Sequence, residues 1–321
     1  MKKVLFASTA LVAGAFAAPQ IASAQSVSAG NADISIGGLA RWGLGYNEDR
    51  AQESILISRF RLNIDAAVEL DSGLRFAASI RGEANEINSG ALAGNAGPLT
   101  FGGGRYQISS GGLRVRFGNI SGVFDDSGTI RPFFDNGLEG TIGMVSSFGF
   151  PGPAFGNGFD NNGILVNYDV GDFSVAASYV DESQNLGGAE DMQLGFGYAF
   201  NGFNFGALIG NTDDGVNDND YWLLSFDGSF GDFGFAAVVG ENDNNGSDEV
   251  AYGFGVDYDI SAATNISFVY SGGGVADLPG ADDAVSLGFL HDLGKGTTVR
   301  GFIGQNFAGS TIADFGVRFN F

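Results

Sequence analysis

The feature that most constrains the fold is a two-residue alternation of apolar and polar side chains, which recurs through the whole chain. Between residues 55 and 70 the even positions are mainly apolar, as at Phe60 and Ile64, while Arg59 and Arg61 occupy odd positions. The same alternation continues in residues 74–85 and 113–119. Successive side chains of a β-strand point to opposite faces of the sheet. The sequence therefore predicts strands with one apolar face and one polar or ionic face.

Long apolar runs are confined to the first residues of the chain. Lys2 and Lys3 precede a small and apolar stretch at 4–18, and an Ala-Ser-Ala cleavage pattern follows at 22–24. This arrangement predicts a cleaved signal peptide over residues 1–24 and an exported mature chain over 25–321. After residue 24 the longest strictly apolar run is the five residues 235–239. Because a membrane-spanning helix needs about 20 apolar residues, we expect none in the mature chain.

Tight turns recur at a regular interval in the second half of the sequence. Gly171-Asp172, Asn201-Gly202 and Gly231-Asp232 follow one another at intervals of 30 residues. Such dipeptides between alternating segments are typical of β-hairpins, because their turns need positive φ angles. The other connections, such as 211–220 and 241–249, are longer and acidic. The pattern predicts an antiparallel meander with short turns at one end and long loops at the other.

Counting the alternating segments gives sixteen strands. They are 33–46, 55–70, 74–85, 105–110, 113–119, 163–170, 173–182, 190–200, 203–211, 219–230, 233–242, 248–260, 265–274, 282–293, 297–306 and 311–321. An even number suits a closed antiparallel barrel, and sixteen strands leave an aqueous channel. A soluble β-sandwich also alternates. Aromatic residues beside the short turns favour a membrane barrel, where they would form an interfacial girdle. We therefore predict an all-β transmembrane barrel of sixteen antiparallel strands, forming one domain over 25–321.

Residues 120–162 interrupt the rhythm of strands and turns. A loop of this length is uncommon in a compact domain unless it is functional or disordered. Its many large apolar residues, such as Phe124, Phe133 and Phe155, argue against disorder because they need a surface on which to pack. Folding of the loop into the barrel would bury these side chains and narrow the channel. We therefore expect the loop over residues 120–162 to fold into the barrel and to form the constriction of the channel.

The chain as a whole resembles the trimeric, sixteen-stranded general porins of Gram-negative bacteria, particularly those of photosynthetic purple alphaproteobacteria. The resemblance rests on Leu113-Arg-Val-Arg-Phe-Gly-Asn119, which leads into Ile120-Ser-Gly-Val-Phe-Asp-Asp126, on the long third loop and on the terminal Phe321. It implies a homotrimer in the outer membrane, in contact with lipid and lipopolysaccharide. It also implies recognition of Phe321 by the barrel assembly machinery, and passage of small polar solutes.

In that family the third loop carries acidic residues that face a basic wall across the channel. The resemblance places the acidic positions at Asp125, Asp126, Asp135 and Glu139 and the basic positions at Arg41, Arg59, Arg61, Arg75, Arg114 and Arg116. The enterobacterial loop motif Pro-Glu-Phe-Gly-Gly-Asp is absent, so which acids line the constriction stays open. The alternative is that the arginines form a structural ladder with Asp65, Glu69 and Glu83.

Charge and composition exclude other functions. A net charge of −22 and a pI near 4.1 argue against nucleic-acid binding and predict a weak preference of the channel for cations. There is no cysteine, and the single histidine, His291, shares a face with apolar residues, so we expect no enzyme. Acidic loops around 211–220, 241–249 and 277–283 could take Ca²⁺ or form a solvated rim.

The sequence therefore favours an outer-membrane pore for passive diffusion of small hydrophilic solutes and ions. One alternative is a substrate-specific channel, which would show an aromatic track for sugars or a lumen of one charge. Another is a structural or adhesive surface barrel, whose loops would extend outward rather than fold into the lumen.

Overall fold

The computed structural model describes residues 25–29, 32–87, 94–130, 136–138, 162–181, 190–213, 218–242, 250–274 and 281–321. The described residues form antiparallel strands and one short helix, α1 (Val123–Asp126). The strands are β1 (Gln25–Ala29), β2 (Ala32–Asn47), β3 (Ser54–Glu69), β4 (Arg75–Asn85), β5 (Thr100–Phe101), β6 (Arg105–Ser110), β7 (Leu113–Gly118), β8 (Asn162–Val170), β9 (Phe173–Asp181), β10 (Glu190–Phe200), β11 (Phe203–Asp213), β12 (Asp218–Phe230), β13 (Phe233–Asn242), β14 (Ala251–Ser261), β15 (Thr264–Gly272), β16 (Ala284–Gly294), β17 (Thr297–Gln305) and β18 (Thr311–Asn320).

These strands form a closed barrel, because β4 pairs with β6, the other consecutive strands from β2 to β18 pair with one another, and β18 returns to pair with β2. The backbone of Phe321 completes the closure: its N–H donates to the Gly38 carbonyl at 3.0 Å, and the Gly38 N–H donates to its carbonyl at 2.7 Å. Beyond that point β1 takes the place of β18 beside β2, at residues 32–36. Likewise β5 and β6 share one place beside β4. The wall therefore has sixteen places, which confirms the predicted strand number.

The strands meet in tight turns at one end of the barrel, as predicted. Gly171 has a φ of 58° and Gly231 a φ of 64°, while the Asn201-Gly202 pair has φ angles of 51° and 85°. Only turns with positive φ match the right-handed twist of the flanking strands in a two-residue hairpin. Glycine reaches these angles without strain and asparagine tolerates them. The turns thereby hold each hairpin in the register that places its apolar side chains on one face.

The outer face of the barrel is apolar. Side chains such as Leu56, Phe60 and Phe315 are exposed there, as are Phe200 and Phe230 beside the short turns. The alternate positions of the same strands carry the polar side chains, and these point into the barrel. In the part of the chain that the structure describes, no helix is long and apolar enough to cross a membrane.

Two strands and the short helix α1 were not predicted from the sequence. The short strand β1 pairs with the part of β2 that β18 does not reach, and β5 pairs with the part of β4 that β6 does not reach. Neither therefore changes the number of strand positions around the barrel. The predicted signal peptide, residues 1–24, lies outside the described residues and stays a prediction.

Candidate functional site

The first described part of the long loop, residues 119–130, packs against the inner face of β8–β12. Ile120 and Val123 are fully buried, and with Ile130 they belong to a cluster that includes Leu208 and Leu223 of the wall. The other inward positions nearby are small or apolar as well, including Leu165, Ala176 and Val180. This part of the loop is therefore packed against the wall by an apolar cluster.

Hydrogen bonds from the wall hold α1 in place. The Val123 N–H donates to Ser178 Oγ at 3.1 Å, and the Phe124 N–H donates to Gln193 Oε1 at 2.8 Å. These are N–H groups of the first helical turn, which have no partner within the helix. The inward-facing side chains of β9 and β10 therefore satisfy donors that would otherwise be buried without a partner.

A buried carboxylate fixes the orientation of Gln193. Asp191 is 4% exposed and accepts hydrogen bonds from Gln193 Nε2 at 2.7 Å, Thr212 Oγ1 at 3.0 Å and Tyr221 Oη at 2.7 Å. Because the amide nitrogen of Gln193 donates to Asp191, its oxygen is directed to the backbone of Phe124. Asp191 thus supports the loop through a second side chain.

The second described part of the loop, residues 136–138, contacts the opposite side of the barrel. The Leu138 N–H donates to both carboxylate oxygens of Asp314, at 2.8 and 2.9 Å, and Arg41 Nη1 donates to the Leu138 carbonyl at 2.8 Å. Asn136 Nδ2 donates to Ser286 Oγ at 2.9 Å, and Asn136 Oδ1 accepts from Ser267. In the order of the wall, β18 lies half-way around from β10. The two described parts of the loop therefore contact inward-facing side chains on opposite walls.

Glycines in the wall give the loop room for this close approach. A Cβ atom at Gly195 would lie 2.5 Å from Val123 Cγ1, and one at Gly316 would lie 2.6 Å from Leu138 Cδ2. Contacts between carbon atoms are normally about 3.5–4.0 Å. A larger residue at Gly195 would overlap the loop alone, whereas one at Gly316 would overlap both the loop and the Trp42 carbonyl oxygen of the neighbouring strand, at 2.3 Å. The high glycine content of the chain thus includes positions that receive the loop.

Five arginines lie together on the inner face of β17, β18, β2 and β3, and we call them the arginine patch. They share adjacent strands, point inward and interact electrostatically with one another: Arg41, Arg59, Arg61, Arg300 and Arg318. Arg318 lies directly opposite Arg41, which lies directly opposite Arg59 on the next strand. Three of the five were predicted from the sequence, whereas Arg300 and Arg318 were missed.

One carboxylate pairs with two members of the patch. Glu83 accepts from Arg61 Nε at 2.6 Å and lies 3.0 Å from Arg59 Nε, and Arg59 also donates to Asn85 Oδ1 at 2.6 Å. Glu83 was one of three acids in the alternative that treats the arginines as a structural ladder. This pairing with Glu83 fixes the orientation of the guanidinium groups of Arg59 and Arg61.

The other predicted arginines lie apart from the patch. Arg114 Nη2 donates to the Ser127 carbonyl at 3.5 Å, and Arg116 Nε donates to Gln107 Oε1 at 3.0 Å. Arg75 is exposed at the start of β4, near a short turn and opposite Glu69. The structure therefore separates the six predicted basic residues into three at the patch, one in contact with the first part of the loop (Arg114), one hydrogen-bonded to the wall strand β6 (Arg116) and one at the turn end (Arg75).

Most of the predicted acidic loop lies outside what the structure describes. Asp125 is exposed on α1, and the backbone of Asp126 ends that helix while its side chain is not described. Asp135 and Glu139 are outside the described residues. The assignment of constriction acids therefore stays a prediction.

Binding of Ca²⁺ by the acidic loops also stays a prediction. Within the described ranges, no three histidine, aspartate or glutamate side chains come together as metal ligands. Much of the acidic loops, including 214–217, 243–249 and 275–280, lies outside those ranges. His291 lies on the outer face of β16 and pairs with Thr264 Oγ1 at 2.8 Å, away from the polar interior.

Comparison with known proteins relates this geometry to one family. The family model of the Gram-negative porins matches residues 7–309. A porin of Fuscovulum blasticum is 30% identical over 310 residues, which cover 90% of this chain and all of that protein. A porin of Rhodobacter capsulatus is 26% identical over 336 residues with the same coverage.

Solved structures give the same result. An engineered variant of the Rh. blastica porin matches with a TM-score of 0.76 and 25% identity over 90% of this chain and 100% of its own. A structure titled "Asymmetric conductivity of engineered proteins" matches with a TM-score of 0.75 and 26% identity over the same shares. The sixteen-place barrel is thus shared with these structures.

Proposed function

Since the chain belongs to the Gram-negative porin family and is an outer-membrane channel protein, we propose that it is a general diffusion pore in which the long third loop and the arginine patch form the constriction. The single observation that carries this proposal is the placement of loop contacts on opposite walls, at Gln193 and at Asp314. Solutes would pass through the space that remains beside the loop.

Size exclusion follows from how the interior is divided. The apolar cluster between the first part of the loop and β8–β12 occupies that side of the interior, so the open path would lie toward the arginine patch. Small hydrophilic solutes would cross there, with their hydration partly replaced by guanidinium groups. A large solute would have to displace a loop that is held by hydrogen bonds at Phe124 and at Leu138.

Charge would act on solutes in the same narrow space. The patch supplies the positive side of a transverse field, and the acids of the loop, Asp125, Asp126, Asp135 and Glu139, would supply the negative side. A polar solute can align its dipole in such a field, whereas an apolar solute loses hydration without compensation. Rings of charged side chains also bias ion selectivity.

Assembly and export complete the proposal. The resemblance of the sequence to trimeric porins supports a homotrimer embedded in outer-membrane lipid and lipopolysaccharide. The terminal Phe321, whose ring stacks on Phe60 with centroids 5.7 Å apart, would be recognised by the barrel assembly machinery. Residues 1–24 would direct export and be removed.

Single-channel recording of the folded mature protein in a planar bilayer tests the function. We expect large conductance steps that close in groups of three, and liposomes containing the protein should swell in small sugars but not in large ones. Heat-denatured protein at the same concentration is the control. Folded protein that gives no conductance would contradict the diffusion pore and favour a plugged or structural barrel.

A further inference from the structure

Two neighbouring hollows lie on the outer face of β9–β13. The loop-side hollow has a volume of about 720 Å³, and the turn-side hollow, which is nearer the tight turns, has a volume of about 660 Å³. On β11, Ile209 lines the first and Ala207, the next outward residue, lines the second; Trp222 and Leu224 of β12 are related in the same way. The hollows therefore follow one another along the strands, and each has the volume of a ligand pocket, about 300–1,000 Å³.

The turn-side hollow is lined by aromatic and aliphatic side chains on the outer face of the wall. Its floor is low because small residues lie opposite large ones: Ala207 faces Leu224 across one strand pair, and Ala237 faces Phe226 across the next. Larger side chains such as Phe196 rise beside this floor. A hydrocarbon chain laid along the hollow would gain van der Waals contacts on several sides.

The loop-side hollow combines an apolar floor with negative charge. The exposed Ile209 lies in it, and Asp220 and Glu241 line it as well. Asn211 Nδ2 donates to Asp220 Oδ1 at 2.9 Å, and Trp222 Nε1 donates to Glu241 Oε2 at 3.2 Å. Both donors are neutral, so they orient the two carboxylates and leave their negative charge in place.

The two carboxylates are spaced for one shared cation. Glu241 lies directly opposite Trp222 and therefore diagonally from Asp220, two residues away on the same face of β12. Diagonal neighbours on one face of a sheet are about 7–8 Å apart, so one ammonium group can contact both carboxylates. The indole of Trp222 lies beside them, and the face of an indole ring attracts ammonium groups.

The sequence supplies no basic residue in this part of the chain. No lysine or arginine occurs between Arg131 and Lys295, a span that contains every residue lining the two hollows. An anionic headgroup placed in the loop-side hollow would meet two charges of its own sign. A cationic headgroup would meet two charges of the opposite sign, so the charge of the hollow favours a cation.

We propose that the two hollows bind one lipid with a cationic headgroup, whose ammonium contacts Asp220 and Glu241 and whose hydrocarbon chain lies along the turn-side hollow. The order of the hollows matches the order of head and tail in a membrane lipid, because the charge lies toward the long loops and the apolar surface continues toward the tight turns. This inference goes beyond the diffusion pore and does not depend on it, since the site lies on the outer face of the wall.

Quenching of tryptophan fluorescence by brominated lipid tests the site. The chain has two tryptophans, so a Trp42→Phe protein reports from Trp222 alone, and a Trp222→Phe protein reports from Trp42, which is exposed on the outer face of β2. Each protein is reconstituted in vesicles of dibrominated phosphatidylcholine mixed with unbrominated lipid of the same chains, bearing either a trimethylammonium or a phosphocholine head. We expect the trimethylammonium lipid to relieve the quenching of Trp222 at a mole fraction at least threefold lower than phosphatidylcholine does. The two lipids should act equally on Trp42.

Variants in the Trp42→Phe background locate the headgroup. Asp220→Asn keeps the size of the side chain and should reduce the preference for the trimethylammonium lipid at least twofold. Addition of Glu241→Gln, whose amide oxygen can still accept from Trp222, should abolish the preference. Asp232→Asn makes the same change as Asp220→Asn at the exposed turn between β12 and β13, and should leave the preference unchanged.

Four outcomes would overturn the proposal. An equal preference for the cationic lipid at Trp42 would show that the net charge of the protein attracts it, and an equal effect of Asp220→Asn and Asp232→Asn would place the headgroup elsewhere. Relief of Trp222 quenching by lipopolysaccharide with Ca²⁺, but not by the trimethylammonium lipid, would assign the hollows to an anionic lipid. Weak quenching of Trp222 in pure brominated phosphatidylcholine, beside full quenching of Trp42, would show that a second copy of the chain covers this face.

Discussion

Replacement of Gly195 by alanine should loosen the loop from the wall. The added Cβ would lie 2.5 Å from Val123 Cγ1, about 1 Å inside a normal carbon–carbon contact. The next atoms, Ala207 O and Thr129 Cγ2, are both 3.6 Å away, so Val123 alone is overlapped. Overpacking of a buried site costs about 1–3 kcal/mol. We expect Gly195→Ala to lower the free energy of unfolding by that amount and to increase the current noise of the open channel.

Truncation of Val123, the residue that the new Cβ overlaps, should remove the destabilisation caused by Gly195→Ala. In a Val123→Ala background the clashing methyl groups are absent, and Gly195→Ala should then be neutral or stabilise the protein by about 0.4–1 kcal/mol, because alanine restricts the unfolded chain. The double-mutant cycle should therefore give a coupling free energy of about 1–3 kcal/mol.

Urea unfolding of the protein in lipid vesicles, followed by the fluorescence of Trp42 and Trp222, measures the four free energies of the cycle. Single-channel recording of the same four proteins reports the position of the loop. Equal destabilisation by Gly195→Ala in both backgrounds would refute the reasoning, since the cost would then arise within the barrel wall rather than at the contact with the loop.

Three further changes test other parts of the site. Glu83→Gln removes the carboxylate shared by two arginines, and the reversal potential in a salt gradient should shift toward anions; an unchanged potential would show that these arginines do not face the permeant ions. Asp314→Asn replaces a charged acceptor of the Leu138 N–H and should weaken that contact by roughly 1 kcal/mol, visible as more frequent current fluctuations. Phe321→Ala should reduce the amount of barrel in the outer membrane several-fold, measured by heat-modifiable mobility of membrane extracts, while protein refolded in vitro keeps its conductance; normal assembly in cells would contradict the role of the terminal ring.

Two glycines on the inner face of the wall give the loop room where it approaches. Gly195 and Gly316 lie where the loop approaches, on opposite walls, and the side chains beside them are acceptors for loop N–H groups. A buried loop needs such partners, because unpaired backbone groups cost free energy away from water. The wall is thus shaped for the loop at two places that are far apart in the sequence.

Local patterns in the sequence determined the strands, their number and the turns between them. Alternation of side chains is a property of each strand alone, and a pair such as Asn201-Gly202 specifies its own hairpin through its φ angles. The inward direction of Arg59 and Arg61 followed from the same alternation. These features needed no knowledge of which strands meet.

Closure of the barrel and packing of the loop determine which inward-facing side chains become neighbours. Arg318 lies next to Arg41 only because β18 pairs with β2, in one register among several that alternation allows. The contacts of Leu138 with Asp314 and of Phe124 with Gln193 likewise join residues distant in the chain. Periodicity reports which face a side chain occupies, whereas the neighbours on that face are determined by the register of strand pairing and by the packing of the loop.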